Sequence, residues 1–247
     1  MYTDKVQDQF TSRVPIYDRR SSWILDPGLL KAMTDASNVS PDAEMLDVCC
    51  GTGAVSGAFE GKVRRRTGLD LTPAMLEQAK QRTERIVQGS ALDLPFDDAS
   101  FDLVVSRQAL HFFDEPAAVI AQMHRVLRPG GQIILGQRVP YGKADAEWMK
   151  RLNELKQPLL KTFMLDSIID DALRSLAFKN ISYTDYFLWE SINDWISSPE
   201  TPEENRPKVL EHVRNAPESV RAVHPIEVRG DRLYARWRWV IYSADKE

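Results

Sequence analysis

Residues 44–53, EMLDVCCGTG, constrain the fold more than any other stretch of the chain. The run opens on Met45, Leu46 and Val48, which read as a short buried strand. It closes on Gly51-Thr52-Gly53 and passes into small residues, 54–59, that can start a helix. Strand, glycine turn and helix in that order make a nucleotide-type site. Glycines let the backbone turn tightly and approach a ligand, and the helix behind directs free N–H groups at whatever docks there. Asp47 sharpens the reading, because it is an acid inside an apolar strand, and a buried carboxylate needs a partner. A ligand carrying an ammonium group would supply one.

Other features meet the same requirement. In VRRRTGLDLTPAML, residues 68–70 end a second strand, and Thr72 and Pro73 are an N-cap and a first helical residue. Asp70 therefore sits at a strand tip 17 residues past Gly53, where an acid can take both hydroxyls of a ribose. A cofactor that offers an ammonium, a ribose and an adenine together is S-adenosylmethionine. The stretch resembles the first motif of class I S-adenosylmethionine-dependent methyltransferases, and is most similar to the ubiquinone/menaquinone biosynthesis group. The likeness covers roughly residues 10 to 138, and the LRPGG junction at 127–131 strengthens it. One departure is Cys49, where that family usually has glycine.

The resemblance implies an α/β fold: a doubly wound, seven-stranded, mostly parallel sheet of the Rossmann-like methyltransferase kind. It would carry an N-terminal helical lid, an added helical insert and a final antiparallel strand. One domain over 1–247 is expected, with a lid at 1–40, a cofactor-binding core at 41–138, and a substrate-side insert with C-terminal strands at 139–247. The expected elements are a third strand and loop at 86–96, a fourth strand at 100–108, a helix at 115–127 and a fifth strand at 132–137. Beyond these come helices at 144–163 and 167–177, a strand at 179–190, and a hairpin through Gly230-Asp231.

The expected cofactor contacts are Tyr17, which inherits a family role at the methionine carboxylate, then Asp47, Cys49, Gly51, Gly53 and Asp70. Leu71, Met75, Ser90, Ala91 and Leu92 follow; Ser90 stands where the family commonly has an acid for the adenine amino group. Arg107 and Gln108 end the fourth strand, where ligands meet an open parallel sheet. His111 follows closely, and an ordinary imidazole titrates near neutrality, so it is the candidate general base and an acceptor contact. His124, His212 and His224 read as structural or solvated. Trp148 in the insert and Trp189 in the aromatic C-terminal third are further candidate acceptor contacts.

The expected reaction is methyl transfer from S-adenosyl-L-methionine, leaving S-adenosyl-L-homocysteine, to oxygen or nitrogen of a small planar aromatic or heterocyclic molecule. Carbon methylation of a quinone precursor is the alternative. A non-catalytic S-adenosylmethionine sensor is a rival of another class. A nicotinamide-dependent oxidoreductase would need glycine at position 56, which is Ser56.

Composition narrows the partners. A net charge of −4 disfavours nucleic acid and anionic membrane, and Arg64-Arg65-Arg66 reads as a solvated edge. The two cysteines are adjacent and build no disulfide framework, which fits a cytoplasmic location. No apolar run reaches membrane-span length, so no membrane insertion is expected. Neither is a metal, and the chain is expected to act as a monomer or homodimer.

Overall fold

The computed structural model describes residues 1–247, apart from the Arg20 side chain. Among the described residues eight strands form one sheet: β1 (Glu44–Val48), β2 (Arg65–Asp70), β3 (Arg85–Gln88), β4 (Phe101–Arg107), β5 (Leu127–Val139), β6 (Lys179–Ser191), β7 (Ile226–Arg229) and β8 (Arg232–Asp245). Their order is β3-β2-β1-β4-β5-β8-β6, with β7 added beside β8. The first five strands pair in parallel, and β8 runs antiparallel to β5, β6 and β7. The doubly wound sheet with a final antiparallel strand is as the sequence predicts. The eighth strand is the short arm of the predicted Gly230-Asp231 hairpin.

Side-chain alternation covers the sheet on both faces. Met45, Leu103, Val105, Ile134 and Ile241 enter one apolar cluster, while Leu46, Val48, Val104, Ile133 and Leu135 enter the other. Helices over both faces explain why these strands read as nearly continuous apolar runs. The junction at 127–131 differs from expectation: β5 begins at Leu127, and its pairing with β4 shifts register between Phe101 and Leu103. Pro129 supplies no N–H, and Gly130 takes a positive φ of 77° while donating to the Lys246 carbonyl at 2.8 Å. Arg66 is not a solvated edge residue either. It is buried and fixed on Glu84, while Arg64 pairs with Glu44.

The chain before β1 lies across the C-terminal ends of the parallel strands. Its first helix, Tyr2–Arg13, is tied down by Tyr2 Oη, which donates to the carbonyls of Phe112 (2.9 Å) and Leu159 (2.7 Å), and by Gln7 Nε2 on the Leu71 carbonyl (2.8 Å). Pro15 turns the chain into a short 3-10 segment, Val14–Ile16. A third helix, Pro27–Asp35, starts at Asp26, whose carboxylate accepts from Leu29 N at 2.7 Å. The insert is a helix at Lys143–Lys156 followed by non-helical chain up to the helix Asp166–Ser175. Among the described residues no helix is long and apolar enough to cross a membrane, and no group of side chains forms a metal-binding cluster.

Candidate active site

The glycine turn after β1 is left-handed at three positions: Cys49 (φ 58°), Gly51 (φ 54°) and Gly53 (φ 77°). Cys49 thus occupies a conformation that favours glycine, which accounts physically for the usual residue there. At Gly53 a side chain would also crowd Ala79, at 3.3 Å. The turn delivers the chain into the helix Ala54–Ala58, and Ser56 of that helix donates to Asp47 Oδ2 from its backbone N (3.1 Å) and its hydroxyl (2.8 Å). The partner of the buried acid within the fold is therefore Ser56. Asp47 Oδ1 accepts no hydrogen bond from the described residues. Burial pushes the Asp47 carboxyl up to about 6 against the pull of Ser56.

Arg107, at the end of β4, faces Asp47 across a small pocket of the glycine turn. Its guanidinium donates to the carbonyls of Trp23 (3.3 Å) and Ile24 (2.7 Å) and lies 5.2 Å from the Trp23 ring centre. Burial lowers its pKa to about 10. Tyr17 closes the same pocket, and burial pushes its phenol up. A negative group and a positive group facing each other this way suit an amino acid zwitterion.

The pocket opens into a cleft of about 210 Å³ lined by Tyr17, Cys49, Gly51, Asp70, Leu71, Ser90, Leu92, Arg107 and Gln108, and roofed by Tyr2, Val6 and Phe10. Asp70 accepts from Gly51 N and Thr72 N, each at 2.9 Å, so its carboxylate itself orders the turn and the next helix. Thr72 stands at the helix start but makes no side-chain cap bond. Gly53 shapes the turn without lining the cleft. Met75 and Ala91 lie in the core behind the cleft wall and are not brought to its surface.

A second cavity of about 70 Å³ adjoins the cleft, and Phe10, Tyr17, Gln108 and Phe112 line both. His111 faces this inner chamber. Burial, with Arg138, Lys156 and Arg13 nearby, pulls its imidazole down to about 3, so the expectation of titration near neutrality is corrected. Its tautomer follows from a relay of hydrogen bonds. Arg138 N donates to Gln108 Oε1 (2.9 Å), which also accepts from Gln137 Nε2 (3.1 Å), and that amide nitrogen lies 3.4 Å from His111 Nδ1. The two hydrogens of that amide also serve Gln108 Oε1 and the Arg138 carbonyl (3.3 Å), so the contact with Nδ1 is a shared one. An amide nitrogen offers no lone pair to a ring N–H, so the ring proton is assigned to Nε2.

The two candidate tryptophans lie elsewhere. Asn153 and Lys156 turn one face of the insert helix to the chamber. Trp148, five residues before Asn153 and so roughly 140° around the helix, stacks on His212 with centroids 5.5 Å apart. On β6, Tyr186 and Leu188 face the core, so alternation turns Trp189 to the other side, where Arg229 and Arg236 cover it. The C-terminal third supplies a different aromatic residue, Trp195, to the chamber. Trp237 and Trp239 are core residues.

The sequence reading also missed the charged lining. Arg13, Arg138, Lys156 and Glu200 meet in the chamber from four separate segments. Arg13 Nε lies 3.2 Å from Glu200 Oε2, and Lys156 pairs with Glu200 Oε1. The one available signal was Arg138, which stands near the C-terminal end of β5, where ligands gather in such sheets.

Comparisons with known proteins agree with this fold. A family profile described as a methyltransferase domain matches residues 46–135. The chain is 26% identical over 203 residues to an uncharacterized methyltransferase, YcgJ, of Bacillus subtilis, covering 78% of this chain and 79% of that protein. The crystal structure of the YcgJ protein shares the fold, with a TM-score of 0.78 at 23% identity over 88% of this chain and 97% of that one. A demethylmenaquinone methyltransferase of Staphylococcus epidermidis is 40% identical over 113 residues, 42% of this chain and 46% of that protein. The chain therefore matches about half the length of that relative.

Proposed function

We propose that the chain is a class I S-adenosylmethionine-dependent methyltransferase and that it methylates oxygen or nitrogen of a small planar aromatic or heterocyclic molecule. One observation carries this reading: the cofactor cleft and the inner chamber share the aromatic wall of Phe10, Tyr17 and Phe112. A flat acceptor held by that wall lies between the methyl donor and the chamber.

In this reading the amino acid end of S-adenosylmethionine lies between Asp47 and Arg107, with Tyr17 closing over it. Its ammonium meets the free Oδ1 of Asp47 and its carboxylate meets Arg107. The ribose hydroxyls go to Asp70. Leu71, Ser90 and Leu92 flank the adenine. The sulfonium supplies the driving force, so the protein's part is to align the acceptor with the methyl–sulfur bond and to exclude water. Bound there, S-adenosyl-L-methionine would supply the methyl group to the acceptor oxygen or nitrogen and would leave as the neutral thioether S-adenosyl-L-homocysteine, the acceptor's proton going to solvent.

His111 does not take that proton in this account. With the ring proton on Nε2 and its pKa near 3, it donates a hydrogen bond that positions the acceptor. His111→Asn is expected to lower turnover by no more than about tenfold, the weight of one neutral hydrogen bond. The wild-type rate should show no ionisation of His111 between about pH 5 and 8. A loss of a hundredfold or more in the variant, with a wild-type acid limb near neutrality, would return His111 to the role of base.

The similarity to a demethylmenaquinone methyltransferase favours a second reading, carbon methylation of a quinone precursor. The charged chamber argues against it, because a prenylated quinone offers that lining no counter-charge. Transfer of labelled methyl groups to a panel of phenols, aromatic amines and quinols, with product analysis, tests the proposal. Label on oxygen or nitrogen supports it, and label confined to ring carbon overturns it.

A further inference from the structure

The inner chamber carries an imbalance that the cofactor does not use. Its lining holds three cations, Arg13, Arg138 and Lys156, and one carboxylate, Glu200. Glu200 is committed to Arg13 and Lys156 and also accepts from the Ser198 hydroxyl. Arg138 is left over. Its Nη2 donates to Asn153 Oδ1 at 3.1 Å, and the guanidinium sits 4.9 Å and 4.6 Å from the ring centres of Trp195 and Trp237. No carboxylate among the described residues forms an ion pair with it. Glu190 attracts it only from a distance, its own oxygens being taken by Ser22 and Trp237. Burial drags Arg138 down to about 10 and Lys156 to about 8, the cost of holding cations away from water.

Two amide oxygens add a second, independent sign. Gln137 Oε1 and Gln157 Oε1 are buried without a hydrogen-bond partner among the described residues, and both residues line the chamber. For Gln137 the amide cannot be turned over to repair this, because its nitrogen is held by Gln108 Oε1 and the Arg138 carbonyl. Such an oxygen is an acceptor that lacks a donor. Native structures seldom leave one without cause.

Size separates the parts of a ligand. A chamber of about 70 Å³ is less than half the roughly 150 Å³ cavity that encloses a benzene ring. It holds an acid group and leaves a ring at the aromatic mouth.

We propose that the acceptor is a small aromatic acid whose carboxylate enters the chamber and pairs with Arg138, with a hydroxyl or amino hydrogen donated to Gln137 Oε1. Planar bidentate pairing is what guanidinium offers a carboxylate. This rests on the methyltransferase reading of the same site and narrows its substrate class. The cofactor's own carboxylate is a separate group, met by Arg107 in the other pocket.

The test uses hydroxybenzoates and aminobenzoates paired with their primary amides, on the intact protein saturated with S-adenosyl-L-homocysteine. Calorimetry should show at least one acid binding at least about tenfold more tightly than its amide, the scale of one charge-assisted hydrogen-bonded pair. Arg138→Gln should abolish that preference while S-adenosyl-L-homocysteine affinity stays within about twofold, and Arg138→Lys should restore part of it. The acid–amide comparison in the wild type does not depend on the variant's folding. Equal binding of acids and amides, a preference that survives Arg138→Gln, or no binding by any acid in the panel overturns the inference. The broader reading fails separately, through lack of S-adenosyl-L-homocysteine binding or of methyl transfer to oxygen or nitrogen. Methylation of neutral phenols as fast as of the acids would sink only the acid.

Discussion

Glu200→Gln is expected to destabilise the protein by about 3–5 kcal/mol, because it leaves two buried cations without their shared counter-charge. The Glu200 side chain is fully buried, and those of Arg13 and Lys156 are each 8% exposed. Burial by itself would raise the Glu200 carboxyl; Lys156 and Arg13 overcome it and hold it down to about 2. The melting temperature should fall by roughly 6–20 °C for a chain of this size. The pH dependence has a definite sign. A carboxyl depressed from 4.5 to about 2 contributes stability that is present above pH 4.5 and is lost as pH falls through 2. The gap between wild type and variant should therefore narrow from about pH 4.5 downward. His111, depressed from 6.5 to about 3, removes further stability between those values in both proteins alike. A melting temperature unchanged by Glu200→Gln, or a gap that widens in acid, would show that the triad is not held as described. Adding Lys156→Met to the variant should return part of the loss, since one unpaired charge is then gone.

This triad also marks where the sequence stops being legible. The cofactor half is local: β1, the glycine turn and the Ala54–Ala58 helix are contiguous, and Asp70 follows at the tip of the neighbouring strand. Short-range patterning shows such a site directly, and the nearly continuous apolar runs of the parallel strands give the sheet. Ser56 was visible only as a missing glycine, although its hydroxyl and backbone N–H are what hold Asp47. The chamber is different in kind. Arg13, Arg138, Lys156 and Glu200 lie on four segments far apart in the chain, and no spacing rule joins them. Each looks like an ordinary surface charge until the fold brings it inside. Trp148 and Trp195 make the same point. Both are tryptophans in helices near the substrate side, and only the rotation of each helix against its neighbours sends one to the core and the other to the chamber. The His111 proton likewise follows from a relay through Gln108 and Gln137 that crosses from β4 to β5.

Asp70→Ala is expected to weaken S-adenosyl-L-homocysteine binding by about 1.5–3 kcal/mol, roughly a ten- to 150-fold rise in Kd by calorimetry. Burial raises the Asp70 carboxyl, and the N–H groups of Thr72 and Gly51 only partly offset this. Two ribose hydroxyls would complete its hydrogen bonding and favour the charged form, so the contact is charge-assisted. The same carboxylate also ties the glycine turn to the helix that starts at Pro73. A loss of affinity could then come from a disordered turn with no ribose contact at all. An analogue of S-adenosyl-L-homocysteine without the 2′ and 3′ hydroxyls separates the two causes. If Asp70 holds the ribose, the analogue binds wild type more weakly than the natural compound, and the variant hardly distinguishes them. The two losses then fail to add, as they must when two changes remove one interaction. If the analogue binds wild type as tightly as S-adenosyl-L-homocysteine, Asp70 orders the turn and the ribose lies elsewhere.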